Sequence, residues 1–333
     1  MLSIASRAVR RATFCAASCL TLAALSVSPA LGADAAAGFP GRPIRIIVPY
    51  QPGGLPDIAA RLIGPRLVDA WKQPVVVDNR AGAGGIIGTE LVAQAAPDGY
   101  TLLMSSPAHA TLPAIYAKLP FDVLKDFSGI TITSSGAYLL AVTPSLGTKS
   151  VKDLIALAKS RPGQLNFSSA GIGTGTHFAA ELFNDLAGVK AVHVAYKGIP
   201  DALTDTIAGR VQFFFPPLAS AAGFLKEGKL LGLAVTQRVT GYEYIPTLEE
   251  SGVAGYTWQA WAGLLAPAKT PRAIVSKLNA EVSRALTLPE VKQRMVALGA
   301  DAAPMTAAEF DKMLAAQVAL ATRLARKAGM KAQ

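Results

Sequence analysis

The sequence predicts an α/β protein, because segments with the pattern of strands alternate with segments with the pattern of helices along most of the chain. Residues 44–48 form a short β-branched apolar run, and the segment after Asp57 has apolar residues at helical spacing. This pairing recurs several times, which predicts mainly parallel sheets that are covered by helices on both faces. At 333 residues, the chain is long enough for two such units.

The predicted elements follow one another in a regular order. Pro43 and Pro49 bound the first strand, and Pro65 predicts a kink in the helix that follows it. Ser150, three residues before Asp153, is typical of a helix start. The remaining strands are predicted at 75–77, 101–104, 138–142, 165–168, 192–196, 211–215 and 230–235, and the remaining helices at 89–95, 150–159, 176–186, 271–287, 290–298 and 307–327.

The segment 1–33 has the layout of a secretory signal peptide. Arg7, Arg10 and Arg11 form a positive segment, an apolar stretch covers 14–27, and small residues follow. The apolar stretch is short for a membrane span, although a retained N-terminal anchor is the alternative. Cleavage would remove both cysteines, Cys15 and Cys19, and would leave a periplasmic protein without disulfide or thiolate chemistry.

Two structural units are expected in the exported part of the chain. This part contains no low-complexity linker and no internal repeat, so we expect two lobes joined by ordered strands. The expected crossings lie near 138–144 and 236–246. The predicted first lobe comprises 34–140 plus 245–333, and the predicted second lobe comprises 141–244.

The composition argues against several functions. Lys and Arg outnumber Asp and Glu by 32 to 22, which favours anions as partners unless the charges are only a solvated surface. The positive residues are scattered and are not interleaved with aromatic residues, so nucleic-acid binding is not expected. The histidines lack the spacing of metal ligands, and Gly-x-Ser-x-Gly is absent, so neither a metal site nor an enzyme is expected. His193 is expected in the core, and the glycines at 82–85 match no nucleotide-binding motif and are interpreted as structural.

Three loops rich in glycine or hydroxyl residues follow predicted strands and precede predicted helices. The first contains Gly53 and Gly54, the second spans 169–177, and the third contains Lys197 and Gly198. Ligands of open α/β sheets bind at the carboxyl ends of strands, and N–H groups at helix starts attract anions. The loops therefore predict an oxyanion site, with ordinary strand-to-helix turns as the alternative for each loop.

Several sequence segments together resemble one protein family. They are PIRIIVPYQPGG at 43–54 with Asp57, QPVVVDNRAGAGG at 73–85, AAPDGYTLL at 95–103, SSAGIGTGTH at 168–177, YKG at 196–198 and GLLAPAKTP at 263–271. On these motifs the chain resembles the periplasmic solute-binding proteins of tripartite tricarboxylate transporters, the Bug family. The resemblance covers essentially the whole exported chain.

This resemblance implies a type II periplasmic-binding-protein fold whose two α/β lobes close on a ligand. In the family, the first strand-to-helix loop of one lobe and the Ser/Gly/Thr loop of the other hold the carboxylate of the ligand. The resemblance also implies a monomer with no catalytic residue and no cofactor, and a membrane permease as partner. The implied ligand-binding residues are Tyr50, Gly53, Gly54, Asp57, Ser105, Ser106, Ser169, Gly173, Thr174, His177, Lys197 and Gly198.

Departures from the family pattern bear on the ligand. Leu55 and Pro56 replace smaller or polar residues, the Phe-rich stretch 213–217 replaces one that often carries Asp or Ser, and 237–244 is atypical. They predict an apolar distal pocket and a mono- or dicarboxylate with an aliphatic or aromatic body. Trp258 is expected in the pocket, the hinge or the core. A sensory role with a signalling partner is the alternative to transport, and a hydrolase is a further, less favoured alternative.

Overall fold

The structure is a computed structural model that describes residues 36–297 and 299–330. The predicted signal peptide, with Cys15 and Cys19, lies outside the described residues. The described residues form two sheets flanked by helices, which confirms the predicted two-lobed α/β fold.

The strands and helices follow the predicted alternation closely. The strands are β1 (Ile44–Val48), β2 (Val75–Asn79), β3 (Thr101–Ser105), β4 (Phe127–Gly136), β5 (Leu139–Val142), β6 (Asn166–Ser169), β7 (Val192–Ala195), β8 (Phe213–Phe214), β9 (Leu231–Val235), β10 (Ala260–Pro267) and β11 (Ala300–Ala302). The helices are α1 (Leu55–Trp71), α2 (Ile86–Ala93), α3 (Pro107–Ile115), α4 (Val151–Ser160), α5 (Gly175–Ala187), α6 (Ile199–Ile207), α7 (Leu218–Lys226), α8 (Arg272–Thr287), α9 (Pro289–Ala297) and α10 (Ala307–Lys327). Ser150 begins α4 as predicted, because its Oγ accepts a hydrogen bond from the N–H of Asp153 at 3.1 Å.

The first sheet has the order β11-β4-β10-β3-β1-β2, and we call it with its helices the first lobe. β1 pairs in parallel with β2 and β3, whereas β10 runs antiparallel to β3 and β4. The second sheet has the order β7-β6-β8-β5-β9 and forms the second lobe. There β6 is parallel to β7 and β8, and β5 is antiparallel to β8 and β9. Both sheets are therefore mixed rather than mainly parallel.

β4 and β10 were not predicted from the sequence, although they supply most of the antiparallel pairing of the first sheet. β4 contains polar residues that conceal a buried strand, among them Thr131 and Thr133, both fully buried. The hydroxyl of Thr131 donates to the carbonyl of Met305 at 2.9 Å, and that of Thr133 donates to the carbonyl of Ala262 at 3.0 Å. These long-range hydrogen bonds offset the cost of burying the hydroxyls, and the sequence alone does not reveal them.

The chain passes between the two sheets through an aromatic, apolar region. It leaves the first sheet at Gly136 and enters the second at Leu139, with the buried Tyr138 between them. On its return it brings Tyr256 and Trp258 against the second lobe, where Tyr256 donates to the carbonyl of Ala179 at 2.7 Å. One hydrophobic cluster includes residues of both sheets and these aromatic side chains, so the lobes share a continuous core.

Candidate functional site

The first-lobe loop, residues 50–54, joins β1 to α1 and is ordered by one buried carboxylate. Gly53 adopts φ +92°, a conformation that favours glycine, and donates its N–H to Oδ2 of Asp57 at 3.0 Å. Oδ1 of Asp57 accepts from Arg61 Nε and from Asn79 Nδ2, both at 3.0 Å. Asp57 is only 4% exposed, so it shapes the loop through bonds within the chain. A direct contact of Asp57 or Gly53 with a ligand stays a prediction.

The start of α1 offers N–H groups that the loop does not use. Among the described residues, none accepts a hydrogen bond from the N–H of Gly54 or Leu55. The first N–H groups of a helix have no partner within the helix and carry partial positive charge. These two groups are therefore suited to an anion.

Tyr50, Ser105 and Ser106 bring hydroxyl groups together beside this loop. The Tyr50 hydroxyl lies 3.2 Å from Oγ of Ser105, which is fully buried. Ser106 begins α3, because its Oγ accepts the N–H of Ala108 at 3.3 Å. Burial raises the pKa of Tyr50, so its phenol stays a neutral hydrogen-bond donor at physiological pH.

The second-lobe loop, residues 169–174, joins β6 to α5 and is tightly cross-linked by hydrogen bonds. The Thr174 hydroxyl donates to the carbonyl of Gly171 at 2.7 Å, and Thr176 Oγ1 accepts the N–H of Ala170 at 2.9 Å. The N–H groups of Gly175 and Thr176, the first two of α5, have no acceptor among the described residues. Like α1, α5 thus starts with N–H groups available to an anion.

Two histidines support the second-lobe loop from within the lobe. His177 is 3% exposed, and its Nδ1 accepts the N–H of Gly173 at 3.2 Å. His193 is half-buried, and its Nε2 lies 2.6 Å from Oγ of the buried Ser169. The hydroxyl of Ser169 also lies 3.0 Å from the carbonyl of Gly171. Ser169 and His177 therefore hold the loop in shape, and His193 supports a loop instead of only filling the core.

The two lobes contact each other at the second-lobe loop. The hydroxyl of Thr111 in α3 donates to the carbonyl of Gly173. Trp258 Nε1 donates to the carbonyl of Gly175 at 3.0 Å, and Trp258 is completely buried between the lobes. The Tyr138 side chain also lies against Gly175, and burial together with the neighbouring Tyr50 raises its pKa. Tyr138 therefore packs at the start of α5, on the crossing between the two sheets.

A small cavity of about 10 Å³ lies where the lobes meet. Its first-lobe side is formed by Gly84, Ile115 and Tyr116, and its second-lobe side by residues 172–174. Among these lining residues no side chain carries a formal charge. A cavity of this volume has room for about one water molecule, so in this form it does not hold an organic acid.

Sequence reasoning missed several residues of this cavity. The glycines at 82–85 do more than shape a turn, since Gly84 lines the cavity and Gly85 packs against the ring of Tyr50. Thr111, Ile115 and Tyr116 come from α3 and its end, and α3 was not predicted. Ser106 followed by Pro107, directly after a predicted strand, is the pattern of a helix start and would have indicated it.

The third loop lies beside the second-lobe loop but away from the cavity lining. The N–H of Tyr196 donates to the carbonyl of Ser169 at 3.0 Å, which joins the two loops. Lys197 is exposed, and Gly198 precedes α6 in an extended conformation. Neither is among the residues that line the cavity, and their contact with a ligand stays a prediction.

The Phe-rich stretch does not face the cavity, contrary to the interpretation of the departures from the family pattern. Phe213, Phe214 and Phe215 are completely buried in the second-lobe core. Phe213 and Phe215 both pack against Phe183. β8 is a central strand and is covered on both faces, so its aromatic residues fill the core. The apolar character of the cavity comes instead from residues such as Ile115 and Ile172.

Residues 36–297 and 299–330 contain no group of three or more His, Cys, Asp or Glu side chains placed to hold a metal ion. Within the same residues, no helix combines the length and apolar character needed to cross a membrane.

The sequence of this chain is similar to those of known proteins along most of its length. A family model described as the tripartite tricarboxylate transporter family receptor matches residues 59–330. Protein BugT of Bordetella pertussis is 35% identical over 266 residues, which cover 79% of this chain and 82% of BugT.

Two solved structures resemble the chain over most of its length. Rpa4515 of R. palustris, solved with adipate, is 32% identical with a TM-score of 0.82, covering 89% of this chain and 100% of that one. MatC from Rhodopseudomonas palustris, solved with bound malate, is 30% identical with a TM-score of 0.77, covering 86% of this chain and 100% of that one.

Proposed function

Because the chain belongs to the tripartite tricarboxylate transporter receptor family, we propose that it is a periplasmic receptor that binds a small organic carboxylate between its lobes and delivers it to the membrane permease of such a transporter. The family membership confirms the resemblance derived from the sequence motifs. As predicted from the sequence, the proposed first lobe comprises 34–140 plus 245–333 and the proposed second lobe comprises 141–244, although Leu139 and Leu140 pair within the second sheet as part of β5. The receptor would be exported by the N-terminal signal peptide and would act as a monomer.

The observation that carries the proposal is the pair of helix starts, one in each lobe. α1 and α5 both begin with N–H groups that no described residue engages, and the Tyr138 side chain lies against Gly175 at the start of α5. Helix N-termini with free N–H groups bind carboxylates without a charged side chain. The hydroxyls of Tyr50, Ser105 and Ser106 add neutral donors beside the first of these helix starts.

The chemistry of the ligand follows from the cavity and from the relatives. Adipate and malate, the acids in the two similar structures, support a small carboxylate as the class of ligand. Ile115 and Ile172 are apolar residues at the contact between the lobes, and they support the proposal of an acid with an aliphatic or aromatic body, which would need more room than the cavity of about 10 Å³ offers in this form. We expect such an acid to bind more tightly than a hydroxylated acid of the same length.

Lobe closure is the step that would couple binding to delivery. A ligand favours closure only through its greater affinity for the closed form. The bonds from Thr111 to Gly173 and from Trp258 to Gly175 join the two lobes, and we propose that they belong to the closed form. A closed, liganded receptor would then present a single surface to the permease.

The test is a thermal-unfolding screen of the exported protein against aliphatic, hydroxylated and aromatic acids, followed by titration calorimetry of each positive acid. An acid at about 100 times its dissociation constant stabilises the folded state by about 2.7 kcal/mol. A matched set of alcohols and amides with the same carbon bodies controls for apolar binding alone. Stabilisation by the alcohols as strong as by the acids would contradict the proposal, as would a folded, ligand-free protein that responds to none of the acids.

A further inference from the structure

Asn79, at the end of β2, is hydrogen-bonded to both ends of the first-lobe loop. Its Nδ2 donates to the carbonyl of Tyr50 at 3.1 Å, where the loop begins. The same nitrogen donates to Oδ1 of Asp57 at 3.0 Å, and Oδ2 of Asp57 accepts the N–H of Gly53. One amide group therefore supports the start of the loop directly and the end of the loop through a carboxylate.

The three bonds of Asn79 define the orientation of its amide group. Nδ2 carries two hydrogens, and the acceptors on Tyr50 and Asp57 use both of them. Oδ1 accepts from the guanidinium of Arg61 at 2.8 Å. A rotated amide would place Nδ2 against the guanidinium and Oδ1 against two other oxygen atoms. The position therefore requires two donor hydrogens and one acceptor, which an aspartate of the same shape does not offer.

The pairing of β1 with β2 gives Asn79 a rigid base. Asn79 lies opposite Val48 in this parallel pair, and the N–H of Arg80 donates to the carbonyl of Val48 at 2.8 Å. The sheet thus holds the backbone of Asn79 beside the point where β1 turns into the loop. Arg61 bonds to the same carboxylate, but its side chain is 52% exposed, so water screens its charge. The short, half-buried side chain of Asn79 is the more rigid support.

The carbonyl of Tyr50 depends on Asn79 for its hydrogen bond. Within residues 36–297 and 299–330, no backbone N–H donates to this carbonyl. The hydroxyl of the same tyrosine lies 3.2 Å from Oγ of Ser105, and its ring packs against Gly85. A shift of the backbone at Tyr50 would therefore also move a hydroxyl group that we assign to the ligand site.

We propose that Asn79 is a positioning residue that holds the first-lobe loop in its ligand-binding form, by donating to the carbonyl of Tyr50 and to the carboxylate that orders Gly53. Asn79 acts through these two residues and does not need to touch the ligand. This inference rests on the proposed function for its effect on affinity, because the loop is the predicted first-lobe half of the ligand site.

The position of the loop is tested without a ligand, by NMR of the ¹⁵N-labelled protein. Asn79→Asp keeps the shape of the side chain and the acceptor for Arg61, but it removes both donor hydrogens and adds a carboxylate beside Asp57. A hydrogen bond to a carboxylate shifts an amide proton downfield. We therefore expect the Gly53 amide proton to lie downfield in the wild type and to move upfield in Asn79→Asp. Asn79→Ala is measured in the same way, so the test does not depend on the folding of one variant.

The effect on binding is measured by calorimetry with adipate as the probe. A variant whose loop adopts the ligand-binding form for about one tenth of the time binds about tenfold more weakly. We expect this loss in Asn79→Asp and in Asn79→Ala, which removes all three bonds without adding a charge. Asn279→Ala is the matched control, because Nδ2 of Asn279 donates to the carbonyls of Ile130 and Met305, at 2.6 and 2.8 Å. This control should lower the thermal midpoint and leave the affinity unchanged.

The outcomes separate this inference from the proposed function. An unshifted Gly53 amide proton in both Asn79 variants would overturn the inference whatever the binding result. A shifted proton with unchanged adipate affinity would also overturn it and would leave the receptor function intact. Equal losses of affinity in Asn79→Ala and Asn279→Ala would overturn it as well, because lost stability would then explain the weaker binding. A shifted proton in a protein that binds neither adipate nor any acid of the screen would support the positioning of the loop and count against the receptor function.

Discussion

The hydroxyl of Thr111 in the first lobe donates a hydrogen bond to the carbonyl of Gly173 in the second lobe. Thr111 is fully buried, and its hydroxyl also lies 2.8 Å from the carbonyl of Ala108 in its own helix. The side chain therefore joins the start of α3 to the loop that precedes α5. Gly173 also packs against Ile115, one turn further along α3. The two lobes are thus in contact at the loop that the sequence motifs assign to ligand binding.

Replacing Thr111 with Val removes this bond while keeping the shape of the side chain. We expect ligand affinity to fall about fivefold, corresponding to about 1 kcal/mol for one neutral hydrogen bond. Calorimetry measures the affinity, and small-angle scattering measures the closure of the lobes. Thr322→Val is the matched control, because the Thr322 hydroxyl bonds to the carbonyl of Val318 within α10. Equal affinities of the two variants would contradict a role for Thr111 in closure.

Gly54→Val should abolish binding without unfolding the protein. The backbone of Gly54 has φ −79°, which any residue adopts, and an added Cβ would meet only Pro56 Cδ at 3.8 Å. The new side chain would cover the N–H groups at the start of α1, so we expect affinity to fall more than about tenfold. Calorimetry and the thermal midpoint are measured together. Unchanged affinity would show that the start of α1 is not part of the site.

Two glycine-to-alanine substitutions should have opposite effects on stability. A Cβ at Gly88 in α2 would lie 2.7 Å from the carbonyl oxygen of Arg80 and 2.9 Å from Pro49 Cα, both backbone atoms that cannot move away easily. We expect Gly88→Ala to lower the free energy of unfolding by about 1–3 kcal/mol. Gly223 in α7 has no atom within 4 Å of such a Cβ, so Gly223→Ala should raise it by about 0.5–1 kcal/mol. Urea unfolding measures both, and a loss of stability at Gly223 would contradict the open space there.

Asp78 should make the first lobe sensitive to acid. Arg45 Nε donates to Asp78 at 2.8 Å and lowers the pKa of this carboxyl most, and Arg80 lowers it further. A carboxyl whose folded pKa is depressed contributes stability above its unfolded pKa of about 3.9, and this contribution is lost as the pH falls through the folded pKa. Both arginines are partly exposed, so we expect Asp78→Asn to lower the free energy of unfolding by less than about 1 kcal/mol at about pH 7.

The pH dependence of this cost is the decisive measurement for Asp78. Urea unfolding of wild type and Asp78→Asn is compared at about pH 7 and at about pH 3, which lies below the unfolded pKa of about 3.9, where part of the contribution of the ionised carboxyl is lost. The difference in the free energy of unfolding between wild type and Asp78→Asn should shrink at the lower pH. A difference that stays constant would mean that Asp78 acts through its shape and not through its charge.

The outline of the fold was predictable because its main signals are local. Apolar runs such as β1 and helix starts such as Ser150 depend on residues only a few positions apart. β4 was not predictable in this way, since its buried Thr131 and Thr133 resemble loop residues until their partners are known. Phe213 shows the same limit, because an apolar residue of a short strand can equally face a pocket or the core until the packing is known.

The candidate site was predictable in its loops but not in its contacts. The glycines and hydroxyl residues at the ends of β1 and β6 indicated where N–H groups would be exposed. The role of Asp57, whose carboxylate is bonded to Gly53, Arg61 and Asn79, depends on the neighbouring strand β2. The stack of His177 on His193 depends on the pairing of β6 with β7.

The amino-acid sequence by itself determined the fold class, the family and the two loops that begin α1 and α5, because each is encoded by short-range patterns and motifs. The tertiary structure alone decided which of those loop groups remain free, which are bonded within the chain, and which meet across the lobes. Thr111 and Gly173 are 62 residues apart, and only the order of the strands and the crossing at Tyr138 bring them together. Contacts of that kind depend on the packing of whole elements, which no local pattern records.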